Sequence, residues 1–152
     1  MPSIARADFD DPRLVAFLQE HLADMEPTAP PESRHALDLD GLRQPTVRMW
    51  VAVDGDALVG TVALAFLDAR HEELKSMRTD PLRRGEGIAS ALLQHVFADA
   101  RSRGVTRISL ETGATGFFEP ARALYRRAGF DPCPPFGSYR DDPHSVFLTR
   151  VL

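Results

Sequence analysis

The stretch Arg84-Gly85-Glu86-Gly87-Ile88-Ala89-Ser90 decides the fold, because it joins a predicted strand to a predicted helix. Two glycines so close together allow the backbone to turn with its N–H groups pointing into one concavity. The helix that begins there adds unpaired N–H groups and the positive end of its dipole. A junction of this kind binds phosphate, so the stretch predicts a phosphate cradle.

The sequence on both sides of this loop predicts an α+β fold. The turn Asp54-Gly55-Asp56 between two apolar runs indicates a hairpin. Apolar residues at helical spacing after Asp11-Pro12 and after Gly87 indicate two amphipathic helices. In chain order, the predicted strands cover residues 4–7, 47–53, 58–67, 73–79, 106–111 and 145–151, and the predicted helices cover residues 12–26, 88–103 and 120–127.

Composition excludes several classes of protein. The chain has 152 residues, of which 43% are hydrophobic, as expected for a single domain over residues 1–152 with its own core. A net charge of −4 argues against a nucleic-acid partner. The single cysteine, Cys133, excludes an internal disulfide and a cysteine-based zinc site, and no metal is expected.

The sequence also lacks the apolar segments expected of a membrane-spanning or secreted protein. The longest apolar run, residues 57–67, is shorter than the roughly 20 residues that span a bilayer. The N-terminal residues 1–11 lack the apolar segment of a signal peptide. We therefore expect a cytoplasmic protein that has no membrane partner.

Two kinds of phosphate-binding loop compete for the glycine-rich stretch. A dinucleotide fingerprint would use Gly85-x-Gly87-x-x-Ser90, with Glu111 as the acid at the end of the next strand. However, Ser90 stands where that motif has its third glycine, and residues 80–84 separate the loop from the preceding strand. The hairpin upstream also departs from a βαβ arrangement, so a different phosphate loop is favoured.

That other loop belongs to a known family. Arg84-x-x-Gly87-x-Ala89 resembles the pyrophosphate signature of the GNAT acetyltransferases, and Ala121-x-x-Leu124-Tyr125-x-x-x-Gly129-Phe130 resembles their second signature. The order of elements is similar over almost the whole chain. The stretches Glu72–Met77, Leu110–Gly113 and Pro135–Tyr139 resemble a poorly characterised bacterial branch of the family.

The resemblance implies a fold and an activity. The fold is a mixed, mostly antiparallel sheet of six or seven strands, splayed at its centre and flanked by helices. The activity is N-acetyl transfer from acetyl-CoA, the expected cosubstrate, directly to a primary amine of a small molecule in a ternary complex. No Ser/His/Asp or Cys/His set in the sequence suggests a covalent acyl-enzyme.

The resemblance also implies which residues bind the cosubstrate. The loop cradles the pyrophosphate, and an exposed strand edge pairs with the pantetheine amides as another strand would. Many relatives carry an asparagine seven residues before the tyrosine, where this chain has a phenylalanine. The residues expected to bind acetyl-CoA are Met77, Arg78, Thr79, Arg84, Gly85, Glu86, Gly87, Ile88, Ala89, Ser90 and Phe118.

Catalysis requires groups that move protons. Tyr125, at the position of the family's general acid, is expected to donate a proton or a hydrogen bond to the departing thiolate. A strand N–H near Thr79 is expected to bind the oxyanion. Glu111, at the end of its strand, is expected to take the proton of the amine, with Glu73 as the reserve candidate.

The acceptor and the alternatives stay open at the level of sequence. The proline-rich segment 27–46, with one helical turn near residues 37–42, is expected to shape the acceptor site. Tyr139 is assigned to that pocket, to a subunit contact in a homodimer, or to packing within its own loop. A non-catalytic acyl-CoA-binding module and an acetyltransferase for protein or peptide amines are the alternatives. Acidic residues in or beside the segment suggest a cationic acceptor: Glu26, Glu32, Asp38 and Asp40.

Overall fold

A seven-stranded mixed sheet runs through the chain from Ser3 to Val151 in the computed structural model, which describes residues 2–152. The strands are β1 (Ser3–Arg6), β2 (Val47–Asp54), β3 (Ala57–Asp68), β4 (His71–Thr79), β5 (Arg107–Gly113), β6 (Asp131–Pro132) and β7 (Ser145–Val151). The α-helices are α1 (Pro12–Met25), α2 (Leu39–Leu42), α3 (Ile88–Ser102) and α4 (Glu119–Arg127).

The spatial order of the strands is β1-β2-β3-β4-β5-β7-β6. Every neighbouring pair is antiparallel except β4 and β5, which are parallel. The predicted α+β class and the mostly antiparallel sheet are therefore confirmed. The sequence does not reveal β6, because this strand consists of only two residues and pairs with β7 through Asp131 and Pro132 alone.

Alternating residues of the central strands face two separate cores. Trp50 and Val62 belong to the core beneath α3, whereas Met49 and Ala63 belong to the core beneath α1. This is the pattern expected of a sheet that is covered on both faces.

Helix α3 lies directly on β3 at Gly60. A Cβ atom at this position would lie 2.9 Å from Leu92 Cδ1 and 3.0 Å from Ile88 Cγ2. Because only glycine permits so close an approach, Gly60 fixes the distance between the sheet and the first turns of α3. The loop that precedes α3 is positioned with it.

The sheet opens at its centre, as predicted. Strands β4 and β5 pair only from His71 with Arg107 to Glu73 with Ser109. On the other side of β4, the register against β3 shifts around Ser76, which has a φ of +51° and whose carbonyl oxygen accepts a hydrogen bond from Thr61 Oγ1 at 2.8 Å. The remainder of β4 and β5 therefore forms the two walls of a central opening.

The segment that follows α1 contains more structure than the sequence predicts. The helical turn is confirmed as α2, but two 3₁₀ turns precede it, Glu26–Thr28 and Pro31–Ser33. Residues 26–36 cross the opening between β4 and β5, and we call them the strap. None of the helices within residues 2–152 is both long and apolar enough to cross a membrane.

Candidate active site

Two cavities meet in the opening between β4 and β5. The strap cavity, about 500 Å³, lies beneath residues 26–36, and the cradle cavity, about 470 Å³, lies beside the loop 83–90. They share six lining residues, so the two cavities are adjacent. These six residues, which we call the junction, are His21, Met25, Met77, Phe118, Ala121 and Tyr125.

The glycine-rich loop has the backbone that the sequence predicts. Gly85 and Gly87 have φ values of +79° and +82°, and neither has an atom within 4 Å of a built Cβ. The left-handed conformation, rather than a lack of space, therefore favours glycine at both positions. Gly87 directly precedes α3, so the first N–H groups of that helix follow at once.

Ten of the eleven residues predicted to bind acetyl-CoA line the cradle cavity. The exception is Glu86, whose carboxylate lies 3.0 Å from the guanidinium of Arg83. Arg83 also pairs with Asp54 at 2.6 Å, and this hydrogen bond holds the pKa of Asp54 below its usual value. The ten lining residues are Met77, Arg78, Thr79, Arg84, Gly85, Gly87, Ile88, Ala89, Ser90 and Phe118.

Two exposed arginines line the cradle cavity without an ion pair to any of residues 2–152. Arg84 belongs to the predicted signature, whereas the sequence analysis did not single out Arg127. The signal for Arg127 is its place on α4, two residues after Tyr125. Cations of this kind attract phosphate groups.

Arg78 has a side chain that does not point into the phosphate site. Its Nη1 lies 2.8 Å from Asp24, its Nη2 lies 3.8 Å from Glu20, and its guanidinium stacks over the ring of Phe17. Its Nε is buried and has no hydrogen-bond partner within residues 2–152. The side chain thus fastens α1 to β4, which leaves only the backbone of this residue for the role predicted from the sequence.

Tyr125 lies in the junction with its ring in the core. The ring is buried and packs against Phe130 at a centroid distance of 5.8 Å. Its hydroxyl makes no hydrogen bond to residues 2–152. Burial above all, and then the charge of Glu111, raise the pKa of Tyr125, so the phenol stays protonated and able to donate.

Glu111 lines the strap cavity close to the same place. Its Oε2 accepts a hydrogen bond from Ser145 Oγ at 2.7 Å. Burial raises the pKa of Glu111, and the hydrogen bond from Ser145 opposes this shift. The raised pKa makes this carboxylate a stronger proton acceptor than an ordinary glutamate.

Comparison with known proteins gives the family. The model of the acetyltransferase (GNAT) family matches residues 14–130. The chain belongs to the GNAT acetyltransferase family. An uncharacterised N-acetyltransferase of Bacillus subtilis, YsnE, is 48% identical over 145 residues, which cover 95% of this chain and 96% of that protein. An uncharacterised N-acetyltransferase of Escherichia coli, YedL, is 44% identical over 152 residues, which cover 100% and 96%.

Solved structures agree with this membership. A Klebsiella pneumoniae protein described as an acyl-CoA N-acyltransferase superposes with a TM-score of 0.84 at 29% identity, covering 100% of this chain and 98% of that one. An aminoglycoside 6′-N-acetyltransferase, solved as a complex with coenzyme A, has the same fold, with a TM-score of 0.72 at 19% identity over 98% and 96% of the two chains. This protein is thus an N-acetyltransferase of the GNAT family, whose typical cosubstrate is acetyl-CoA.

Phe118, which the resemblance places at the position of the family's asparagine, forms an aromatic wall of both cavities. Its ring covers Gly113 so closely that a Cβ atom there would lie 2.0 Å from the ring carbon Cδ2. The ring lines both cavities, so any cosubstrate contact that it makes is apolar.

The carboxylate of Glu73, the reserve candidate for the base, already has two hydrogen-bond partners. Its Oε2 accepts hydrogen bonds from the hydroxyl of Tyr139 and from Lys75 Nζ, the latter at 3.3 Å. Lys75 lines the strap cavity, so Tyr139 stands behind the cavity wall. A carboxylate with this pairing is poorly placed to take a proton from an amine.

The acidic residues of the strap region mostly lie away from the cavity. Of the four acids, only Glu26 lines it. Glu32 and Asp40 are exposed, and Asp38 caps α2 by accepting a hydrogen bond from the N–H of Gly41 at 2.9 Å. The expectation of a cationic acceptor therefore loses three of the four residues on which it was based.

Proposed function

We propose that this acetyltransferase moves the acetyl group of acetyl-CoA directly to a primary amine of a small molecule, with both substrates bound together. The observation that carries the proposal is the junction between the two cavities, where Tyr125 lines both. The cosubstrate fits one cavity and the acceptor fits the other, so the reacting groups meet there without a covalent acyl-enzyme. Cys133 lines neither cavity, and its N–H bonds to the carbonyl oxygen of Phe147.

The cradle suits the cosubstrate chemically. Two left-handed glycines and the start of α3 present N–H groups to the pyrophosphate. Arg84 and Arg127 at the rim add positive charge for the phosphates. The edge of β4 at Ser76 and Met77 has no register partner in either neighbouring strand, and its backbone groups suit the amides of the pantetheine arm.

The proposed reaction balances in protons. A primary ammonium, with an ordinary pKa of about 10.4 for a lysine-like amine, gives one proton to Glu111. The nitrogen lone pair then attacks the thioester carbonyl carbon, a C–N bond forms, and the π pair moves to oxygen. The electron pair on oxygen re-forms the carbonyl as the C–S bond breaks, and the thiolate takes the proton of Tyr125. The nitrogen returns its second surplus proton to Tyr125, and Glu111 releases its own to water.

A small acceptor is favoured over a protein because the strap covers the acceptor side. Lys75 Nζ donates to the carbonyl oxygen of His35 at 2.9 Å, and the hydroxyl of Ser33 donates to the carboxylate of Asp142. These contacts hold the strap over a cavity of about 500 Å³, a volume typical of small-molecule sites. An open groove would suit a peptide better.

Initial-velocity measurements test the proposal. Thiol release would be followed with a panel of small primary amines and lysine-containing peptides, while both substrates are varied. Intersecting double-reciprocal lines with a small amine support direct transfer, whereas parallel lines indicate a covalent intermediate. Tight acetyl-CoA binding without turnover of any amine favours the non-catalytic module, and turnover of peptides alone favours a protein acceptor.

A further inference from the structure

His21 is the unexplained residue of the junction. It lies on α1 and lines both cavities, and its ring is only partly exposed. Neither ring nitrogen forms a hydrogen bond with any of residues 2–152. Neither nitrogen is fully buried away from solvent, so the imidazole can donate a hydrogen bond to a ligand that enters the cavities.

The junction offers few polar groups to a reacting thioester. Besides Tyr125, its side chains are those of two methionines, a phenylalanine, an alanine and His21. The transfer develops negative charge on two atoms, the carbonyl oxygen and the sulfur. If Tyr125 donates to the sulfur, His21 is the one remaining junction side chain that can donate a hydrogen bond to the oxygen.

Burial, reinforced by Arg78, keeps the imidazole of His21 neutral. Burial, and then the nearby guanidinium of Arg78, lower the pKa of His21 to about 4, against an opposing effect of Asp24. Arg78, on β4, is itself held by ion pairs with Asp24 and Glu20, which lie on α1 together with His21. A neutral imidazole with one N–H donates a hydrogen bond without giving up its proton, which is how an enzyme polarises a carbonyl group electrophilically.

We propose that His21 donates a hydrogen bond to the thioester carbonyl oxygen of acetyl-CoA and strengthens it as that oxygen becomes negative. The inference rests on the proposed function, since it concerns the same reaction. His21 forms and breaks no covalent bond and transfers no proton. With a backbone N–H of the β4 edge it would make a two-donor oxyanion hole, with one donor from α1 and one from β4.

Infrared spectroscopy tests the hydrogen bond without any acceptor. The protein would be loaded with acetyl-CoA carrying ¹³C at the thioester carbonyl, and the bound carbonyl band compared with that of the free cosubstrate. We expect a shift to lower frequency in the wild type, a smaller shift in His21→Ala, which keeps only the backbone donor, and partial recovery in His21→Gln, whose amide keeps a donor. His95→Gln is the matched control, because His95 packs against Trp50 and lines neither cavity.

Kinetics give the second readout. We expect His21→Ala to lower kcat by about 10²-fold, a loss typical of one oxyanion-hole donor, while the KM for the amine stays unchanged. An unchanged carbonyl band in His21→Ala overturns the proposal. So does a higher amine KM at unchanged kcat, since His21 would then bind the acceptor.

The two proposals can fail separately. If no amine is acetylated but the band shift depends on His21, the hydrogen bond stands and the catalytic function fails. If amines are acetylated and the carbonyl band is the same in the wild type and in the His21 variants, the function stands and the role of His21 fails. The acetyl-CoA dissociation constant and thermal unfolding of each variant show whether the site is intact, and His21→Gln serves where His21→Ala unfolds.

Discussion

Lys75 on β4 donates a hydrogen bond to the backbone carbonyl oxygen of His35, 2.9 Å away, and so ties the strap to the sheet. The same nitrogen also lies 3.0 Å from the hydroxyl of Tyr139 and 3.3 Å from Glu73 Oε2. All three ammonium protons are thus used, and the side chains of Lys75 and Glu73 are each only 10% exposed. Since a buried carboxylate without its cation is unfavourable, this pair links the stability of the sheet to the shape of the strap cavity.

Replacement of Lys75 by methionine should loosen the strap and leave Glu73 unpaired. We expect Lys75→Met to lower the free energy of unfolding by about 3 kcal/mol, as is typical when one partner of a buried ion pair is removed. The KM for the amine should rise. Urea unfolding and steady-state kinetics measure the two effects.

The double variant Glu73→Gln/Lys75→Met is the control for that change. It removes both charges, so it should recover much of the stability but not the strap contact with His35. Equal stability of the single and double variants would contradict the role assigned to the ion pair.

Tyr125→Phe keeps the ring that packs on Phe130 but removes the hydroxyl. We expect kcat to fall by about 10²-fold, which is typical of a lost general acid. The acetyl-CoA dissociation constant from calorimetry should stay the same, because the ring still fills the junction. An unchanged kcat would remove Tyr125 from the mechanism.

The pH dependence of kcat/KM for the amine should carry the ionisation of Glu111. Burial raises the pKa of this carboxyl, so activity should fall as the pH drops through a value above that of an ordinary glutamate. The hydrogen bond from Ser145 opposes that shift, so Ser145→Ala should move the acidic limb to a higher pH. The pKa of the amine in solution is the same for both proteins, so it cannot cause such a shift. An acidic limb at the same pH in the wild type and in Ser145→Ala would argue against Glu111 as the base.

The left-handed conformation of Gly87 predicts that alanine is tolerated less well there than at Gly116. Alanine at a φ of +82° costs about 1–2 kcal/mol of backbone strain. Gly87→Ala should therefore lower stability and weaken acetyl-CoA binding. Gly116→Ala is the matched control, because its backbone lacks a positive φ and no atom lies within 4 Å of the added carbon. Equal acetyl-CoA affinities for the two variants would contradict the cradle.

The sequence predicts the parts of this structure that local patterns encode. The cradle, the hairpin and the cap at Asp11 each depend on residues that lie close together in the chain. The side chain of Asp11, for example, accepts a hydrogen bond from the N–H of Arg13 at 2.9 Å, as the Asp-Pro pair indicates. The central splay came from the resemblance to the family, because no local pattern specifies where two parallel strands separate.

Contacts between distant segments could not be predicted in the same way. The bond from Lys75 to Tyr139 spans 64 positions, and nothing in either local pattern indicates it. His21 likewise reads as one polar residue of an amphipathic helix until α1 is placed over the opening. Burial above all, and then Arg78, lower the pKa of His21, and both depend on segments that are far away in the sequence but adjacent in space.

The early end of pairing between β4 and β5 also ties the stability of the fold to the cosubstrate. Past Glu73 and Ser109, the two strands no longer pair with each other, so their facing backbone groups are open to water or to a ligand. An extended molecule with amide groups, lying in that gap, acts as an additional short strand and completes an interrupted sheet. Because a ligand that binds only the folded state stabilises it by RT ln(1 + [L]/Kd), a cosubstrate bound in this gap would raise the free energy of unfolding.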